Sequence, residues 1–240
     1  MFQLESQGLL CDRQSGFRKG RSTLDHLVNL ESNVNEAFAN RGFLIAVFLD
    51  IEKAYDMTWR YGLLSKLYGL GFRGNLPIFV QNYMSDRTFS VRFNHLGSTV
   101  YSDTFVQENG MVQGGVLSPP GFLIAIDDVL PAPPRNLKFS LFADDCAVWH
   151  SSSNAQFSAS RVQMALNSIH IWGQQWGFKF SVAKSYGIIF TRNYKIPNIT
   201  LKIGDVPIPI KDSVRFLGLH FDRRLNWSVH IEHILARCQK

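Results

Sequence analysis

The most specific chemistry in the chain is offered by Phe142-Ala143-Asp144-Asp145. Short apolar runs of strand-forming residues, 137–141 and 146–149, flank the two adjacent carboxylates. Neighbours on a regular strand point to opposite faces, so both acids serve one site only where the chain turns. A β-hairpin with the acids at its tip is therefore predicted. Two carboxylates about 4 Å apart repel by roughly 4 kcal/mol at an effective dielectric of about 20. A raised pKa, a basic neighbour or a divalent metal must offset that. Taken alone, the pair is equally a solvated turn. Asp127-Asp128, at the end of a predicted helix over about 120–129, is read as such a turn.

Further candidates stand at element ends. Residues 43–49 are apolar on both faces, the pattern of a central strand buried on both sides, and Asp50 stands at its end. Tyr55 follows five residues on. Residues 14–23 hold three cations, two glycines and an N-cap candidate ahead of a predicted helix over about 24–40, with Leu24, Leu27, Val28, Val34, Ala37 and Phe38 near helical spacing. A basic, glycine-containing loop entering a helix suits phosphate binding, and a solvated basic loop is its plain alternative. In the glycine-punctuated loop 110–119, paired glycines allow close backbone approach to a ligand. There Gln113 can hydrogen-bond a base or sugar edge, and the alternative is an ordinary loop capped at Ser118.

These positions need a frame. The chain has 240 residues, 45% of them apolar, enough for a real core in one large or two small domains. Net charge is +6, which permits a polyanionic partner without requiring one. Cys11, Cys146 and Cys238 lack metal-ligand spacing and are read as reduced thiols of an intracellular protein. No signal sequence and no apolar run of about 18 residues is found, so secretion and membrane spanning are not expected. Helices are expected over about 59–70 and 77–84, and a hairpin over 88–93 and 99–106 turns across 94–97. Val162, Ala165, Leu166, Ile169, Trp172 and Trp176 form a core-packing stripe at helical spacing. Strands follow at 187–190, twice within 199–210, and as one strand over 214–221, before a helix from Trp227. His95 and His150 are read as surface residues.

In order along the chain, these segments resemble the reverse transcriptase domain of non-LTR (LINE-type) retrotransposons, especially the jockey-like arthropod group. Gln14-Ser15-Gly16-Phe17-Arg18 with Ser22-Thr23 resembles the fingers motif, and Phe48 to Asp56 resembles palm motif A. Gln113 to Pro119 resembles motif B, Phe142 to Asp145 motif C, and Gly177 to Lys184 motif D. Phe216-Leu217-Gly218 with Leu225-Asn226-Trp227 resembles motif E, the primer grip. Each is weak alone; six in family order are specific.

The resemblance implies an α+β fold, a polymerase right-hand palm with an antiparallel sheet backed by helices. Partial fingers would take about 1–42 and 60–106, the palm 43–59 and 107–225, and the start of a truncated thumb 226–240. It implies an RNA-directed DNA polymerase that adds dNTPs to a DNA primer on an RNA template, using two Mg²⁺ ions, with Mn²⁺ a possible substitute. Asp50, Asp144 and Asp145 would be catalytic and bind metal, with the backbone carbonyl of Ile51. Arg18, Tyr55, Gln113, Gly114 and Lys184 would meet the nucleotide, Tyr55 as the steric gate against a ribose 2′-hydroxyl, with a core tyrosine beside the strand as its alternative, and Lys184 as candidate general acid, with a solvated lysine as its alternative. The place of work would be nucleus or cytoplasm. Departures from the family pattern are Val112 for Pro, Gly115 for Ser, Pro120-Gly121 for an apolar pair and Asp127 for Asn; none removes a metal ligand. Against the resemblance, the upstream fingers segment with its triphosphate-contacting lysine, the thumb beyond about Trp227, the endonuclease and the Cys/His-rich tail of full-length elements are read as missing, and a fragment or decayed copy of an element is expected. Two other readings stay open: an incomplete fragment that only binds nucleic acid, and a two-metal nuclease or phosphatase on the same carboxylates.

Overall fold

The structure, a computed structural model, describes residues 1–95, 97–130, 133 and 136–239. Its elements in chain order are α1 (Phe2–Ser6), α2 (Thr23–Ala39), β1 (Phe43–Asp50), α3 (Arg60–Gly69), α4 (Asn75–Met84), β2 (Thr88–Phe89), β3 (Arg92–His95), β4 (Ser98–Tyr101), β5 (Phe105–Val106), α5 (Ser118–Ile126), β6 (Lys138–Phe142), β7 (Asp145–Ser152), α6 (Ala155–Trp176), β8 (Tyr186–Phe190), β9 (Leu201–Ile203), β10 (Val206–Ile208), β11 (Ser213–Phe216), β12 (Leu219–Asp222) and α7 (Ser228–Cys238). The chain forms two compact units, Met1–Glu52 with Asp127–Lys240, and Lys53–Ile126.

The first unit is built on a four-stranded antiparallel sheet in the order β6-β7-β1-β8. Strand β1 lies between two partners and is buried on both faces, as its unbroken apolar run requires. Leu44, Ala46 and Phe48 share one core with Leu30, Val34 and Phe38 of α2 and with Val214, Phe216 and Phe221 of β11 and β12. By strand alternation Ile45 and Val47 face the other way, and α6 packs on β1 and β7 with Val162, Ala165, Leu166 and Ile169 buried. Gly177 closes α6 in the left-handed conformation (φ 78°) that a helix C-terminus favours.

Four expectations change in this unit. Leu24 and Val28 of α2 are exposed, because the stripe facing the sheet runs through Leu27, Leu30, Val34 and Phe38. His150 is buried: it lies on β7, where its Nδ1 stands 3.0 Å from the Ser158 hydroxyl of α6. Residues 214–221 are a hairpin, not one strand, because Leu217 and Gly218 both take positive φ (45° and 91°) and reverse the chain. Asp127-Asp128 is no solvated turn. The Asp127 carboxylate accepts the Cys11 backbone N–H (2.9 and 3.1 Å), and Asp128 accepts from Trp172 Nε1 (2.9 Å). Burial and the Asp127 carboxylate together push the Cys11 thiol up to about 11.

In the second unit the predicted hairpin comes in two pieces. β3 pairs with β4 and β2 with β5, while the return strand carries one extra residue between them. Leu96, within the predicted turn, lies outside the described residues. Helix α5 begins at Ser118, two residues before the expected start, since Pro119 and Pro120 need no backbone donor in a first turn.

Candidate active site

Asp50 ends β1 directly opposite Asp145, which begins β7. Such cross-strand partners share a face with Cβ atoms about 4.5–5.5 Å apart. Phe142 pairs with Asp145, leaving Ala143 and Asp144 as a two-residue loop. Of these two only Ala143 has positive φ (52°), the φ pattern of a II′ hairpin turn. The sheet thus brings three carboxylates from positions 50, 144 and 145 to one end of its two central strands, and the hairpin predicted for the acid pair is present.

The electrostatics agree with the geometry. Desolvation, then the charges of Asp144 and Asp50, push the Asp145 carboxyl up to about 6. Asp50 Oδ2 is buried and accepts no hydrogen bond. Its charge partner is Lys184 Nζ at 3.5 Å, on a side chain that is 72% exposed. A buried carboxylate oxygen without a donor is costly unless something else satisfies it. A hard divalent cation would, so the residues fit a metal. Among the described residues no group of three or more His, Cys, Asp or Glu side chains is already arranged to hold one. Mg²⁺ characteristically takes only one or two carboxylates and completes its shell from water and substrate phosphates.

The backbone around Asp50 is fixed from the 177–185 segment. Ser181 N–H donates to the Asp50 carbonyl and Glu52 N–H to that of Lys179, both at 2.8 Å, flanking the antiparallel Ile51–Phe180 bridge. In such a non-hydrogen-bonded pair the Ile51 carbonyl points away from Phe180, toward the side where β7 lies. Ser185 Oγ accepts the Asp50 N–H (3.3 Å) and donates to the Ser181 carbonyl (2.7 Å).

The remaining candidates separate. Arg18 is turned inward: its guanidinium holds both Glu5 carboxylate oxygens (2.9 and 2.8 Å) and the carbonyls of Cys11 and Gln14 (2.7 and 3.0 Å). At 8% exposure it has no face to offer a triphosphate, so that expectation is corrected. The pair stabilises the loop instead. We expect Arg18→Ala to cost about 2–4 kcal/mol, because a half-buried carboxylate and two carbonyls lose their donors. The Arg18 hydrogen bond holds the Glu5 carboxyl below its ordinary value. This contribution is therefore full above the unfolded pKa of about 4.3 and is lost as pH falls through the lower folded value. Urea unfolding of both proteins at pH 7 and pH 3 should show the difference shrinking at acid pH.

Phe216 packs in the core with its ring 4.8 Å from that of Phe48, and only Leu217 and Gly218 form the turn. Tyr55, Gln113 and Gly114 belong to the second unit. Tyr55 stacks on Phe122 (centroids 4.9 Å, 16° between planes), and its carbonyl accepts the Met111 N–H. Gln113 Nε2 donates to Asp56 (3.1 Å), and Gly114 has φ 83°. A Cβ added at Gly115 would overlap the Tyr83 hydroxyl.

A residue that the sequence reading passed over is Gln14. It is fully buried, and its Oε1 accepts the N–H of Gly16 (2.7 Å) and of Ala143 (3.0 Å). Its place in the basic loop was visible, but its 129-residue reach to the acid turn was not.

An antiparallel sheet backed by helices, with acids converging from a central strand and the adjoining hairpin, defines a polymerase palm of the right-hand type. The fold resembles that of telomerase from Candida tropicalis in complex with a TWJ fragment of telomeric RNA (TM-score 0.60, 15% identity, covering 94% of this chain and 36% of that one). It also resembles the apo enzyme truncated from its C-terminal domain (TM-score 0.56, 14% identity, 89% and 40%). Residues 2–221 match the family described as reverse transcriptase (RNA-dependent DNA polymerase), and the chain belongs to it. Among similar proteins, the probable RNA-directed DNA polymerase from transposon BS of Drosophila melanogaster is 30% identical over 96% of this chain and 26% of its own length. The RNA-directed DNA polymerase from mobile element jockey of the same species is 28% identical over 92% and 24%. The chain thus spans about a quarter of these relatives. The family binds nucleic acid and uses divalent metal ions. No helix among the described residues is long and apolar enough to cross a membrane.

Proposed function

We propose that this chain is the catalytic core of an RNA-directed DNA polymerase of a non-LTR retrotransposon, joining dNTPs to a primer 3′-hydroxyl. One observation carries the reading: Asp50 lies opposite Asp145, with Asp144 in the adjoining turn and a buried Asp50 oxygen that accepts no hydrogen bond and has only the exposed Lys184 ammonium 3.5 Å away. Asp50, Asp144, Asp145 and the Ile51 carbonyl would hold two Mg²⁺ ions, or Mn²⁺ in their place. When bound, such ions activate the attacking hydroxyl and stabilise charge on the transferring phosphoryl group. The chain's own work is to fix the carboxylates on one rigid sheet end, so that little reorganisation remains for the reacting state. Lys184, long and exposed beside Asp50, would donate a proton to the departing pyrophosphate. Leu217 and Gly218 would present backbone to the primer. Residues 1–42 and 60–106 would act as partial fingers and 226–240 as the start of a thumb.

Primer extension on an RNA template with Mg²⁺ or Mn²⁺, comparing wild type with Asp144→Asn, tests this. Incorporation by wild type alone is expected; equal activity in both would overturn the residue roles. Salt-sensitive RNA binding with no incorporation by either would favour the binding-only alternative.

Tyr55 is proposed as the gate against ribonucleotides, with Gln113 and Gly114 on the nucleotide side. Its ring is held by the stack on Phe122, so it is a fixed wall and not a swinging one. Tyr55→Ala should raise ribonucleotide relative to deoxynucleotide incorporation by about tenfold or more, read from single-nucleotide competition.

A further inference from the structure

Gln14 is a fully buried polar side chain that the proposed chemistry does not use. Its residue is 0% exposed, and its Nε2 has no hydrogen-bond partner. An unsatisfied buried amide donor costs about 1–3 kcal/mol, so an apolar side chain would serve a mere core better. The oxygen explains the residue. Oε1 accepts from Gly16 N–H and Ala143 N–H together, and both neighbours are donors, which fixes the amide orientation. Ala143 is the left-handed residue of the turn, immediately before Asp144. That conformation costs a non-glycine residue about 1–2 kcal/mol and persists only where its surroundings over-determine it.

The rest of the loop reinforces the clamp. Gln14 bridges Leu141 in parallel, with Ser15 N–H donating to the Leu141 carbonyl and Leu141 N–H to that of Arg13, both at 3.0 Å. The Gln14 carbonyl is itself held by Arg18, which is anchored on Glu5. A chain of contacts therefore runs from Glu5 through Arg18 and Gln14 to the turn that carries two of the three carboxylates.

We propose that Gln14 is a positioning residue for the acid turn: its side-chain oxygen sets the backbone at Ala143, and hence the placement of Asp144 and Asp145. The inference rests on the metal-site reading above for its consequence, though not for its geometry. Residues that orient metal ligands from behind typically cost about 10–100-fold in metal affinity when replaced.

The test uses the full chain and Gln14→Met, which keeps length and volume but offers no comparable acceptor. Mn²⁺ affinity is read by electron paramagnetic resonance, and amide hydrogen exchange at Gly16, Ala143 and Val148 by NMR. Val162→Ala, in the α6 core, serves as a variant destabilised away from the turn. Gln14→Met should weaken Mn²⁺ binding at least tenfold and speed exchange at Gly16 and Ala143, but not at Val148 of β7. Val162→Ala should leave Mn²⁺ affinity within about twofold of wild type. Unchanged Mn²⁺ affinity in Gln14→Met, or an equal loss in Val162→Ala, would overturn the inference. Should wild type bind no Mn²⁺, the metal reading fails and the exchange rates alone decide whether Gln14 holds the turn.

Discussion

Asp50→Asn should abolish nucleotide incorporation while leaving the metal-free protein at least as stable as wild type. The two effects have opposite signs because one carboxylate serves two balances. In the proposed catalysis, Asp50 would supply the only acid from β1, opposite Asp145. Losing its charge removes several kcal/mol of transition-state stabilisation, and about 4 kcal/mol is already a 10³-fold loss. For folding without metal, Asp50 raises the Asp145 pKa and leaves an unsatisfied buried oxygen. The charges facing Asp145 are those of Asp144 and Asp50, with Lys184 beside the latter. Because the folded carboxyl titrates near 6 instead of near 4, metal-free wild type should lose stability as pH rises through that window. Mn²⁺ should return stability above about pH 6 and little below it, where a proton competes for the site. In Asp50→Asn the Asp145 titration followed by NMR should move down and the Mn²⁺ effect should vanish. Retained incorporation, or a midpoint unmoved by the substitution, would refute this account.

The parts of the site that were legible in the sequence are those written into short stretches. The apolar run closed by Asp50 specified a doubly buried strand with an acid at its end, and the acids between two strand-like runs specified a hairpin tip. What the sequence hid depends on partners far along the chain. His150 continues an apolar strand, but its satisfaction by Ser158 needs α6 folded back on β7. Arg18 stands in a loop rich in cations, and nothing local says that Glu5 will turn it inward. Leu217 gave no sign of a positive φ, since only Gly218 has the residue type that such a turn favours. Gln14 is the extreme case: its partner lies on the far side of the palm sequence, so its chemistry becomes visible only when the edge strand β6 is in place.

The same edge gives the second large effect, a contrast between two glycines four residues apart. Gly20 has φ 74° with nothing within 4 Å of an added Cβ. Gly20→Ala should cost only the left-handed strain of about 1 kcal/mol. Gly16 has no such φ, yet a Cβ there would overlap the Ala143 backbone nitrogen and stand 2.9 Å from its Cα. Neither side can yield cheaply. Ala143 is tied to the hairpin, and Gly16 follows the Arg13–Ser15 stretch that is hydrogen-bonded to Leu141. Gly16→Ala should therefore cost about 3 kcal/mol or more, as overpacking against fixed backbone does. It should also lower Mn²⁺ affinity, because relief of the clash must move the residue preceding Asp144. Paired urea melts and Mn²⁺ titrations of the two variants separate the causes. Backbone conformation alone predicts the larger loss at Gly20, whereas crowding of the acid turn predicts it at Gly16, with the metal affinity falling in the same protein.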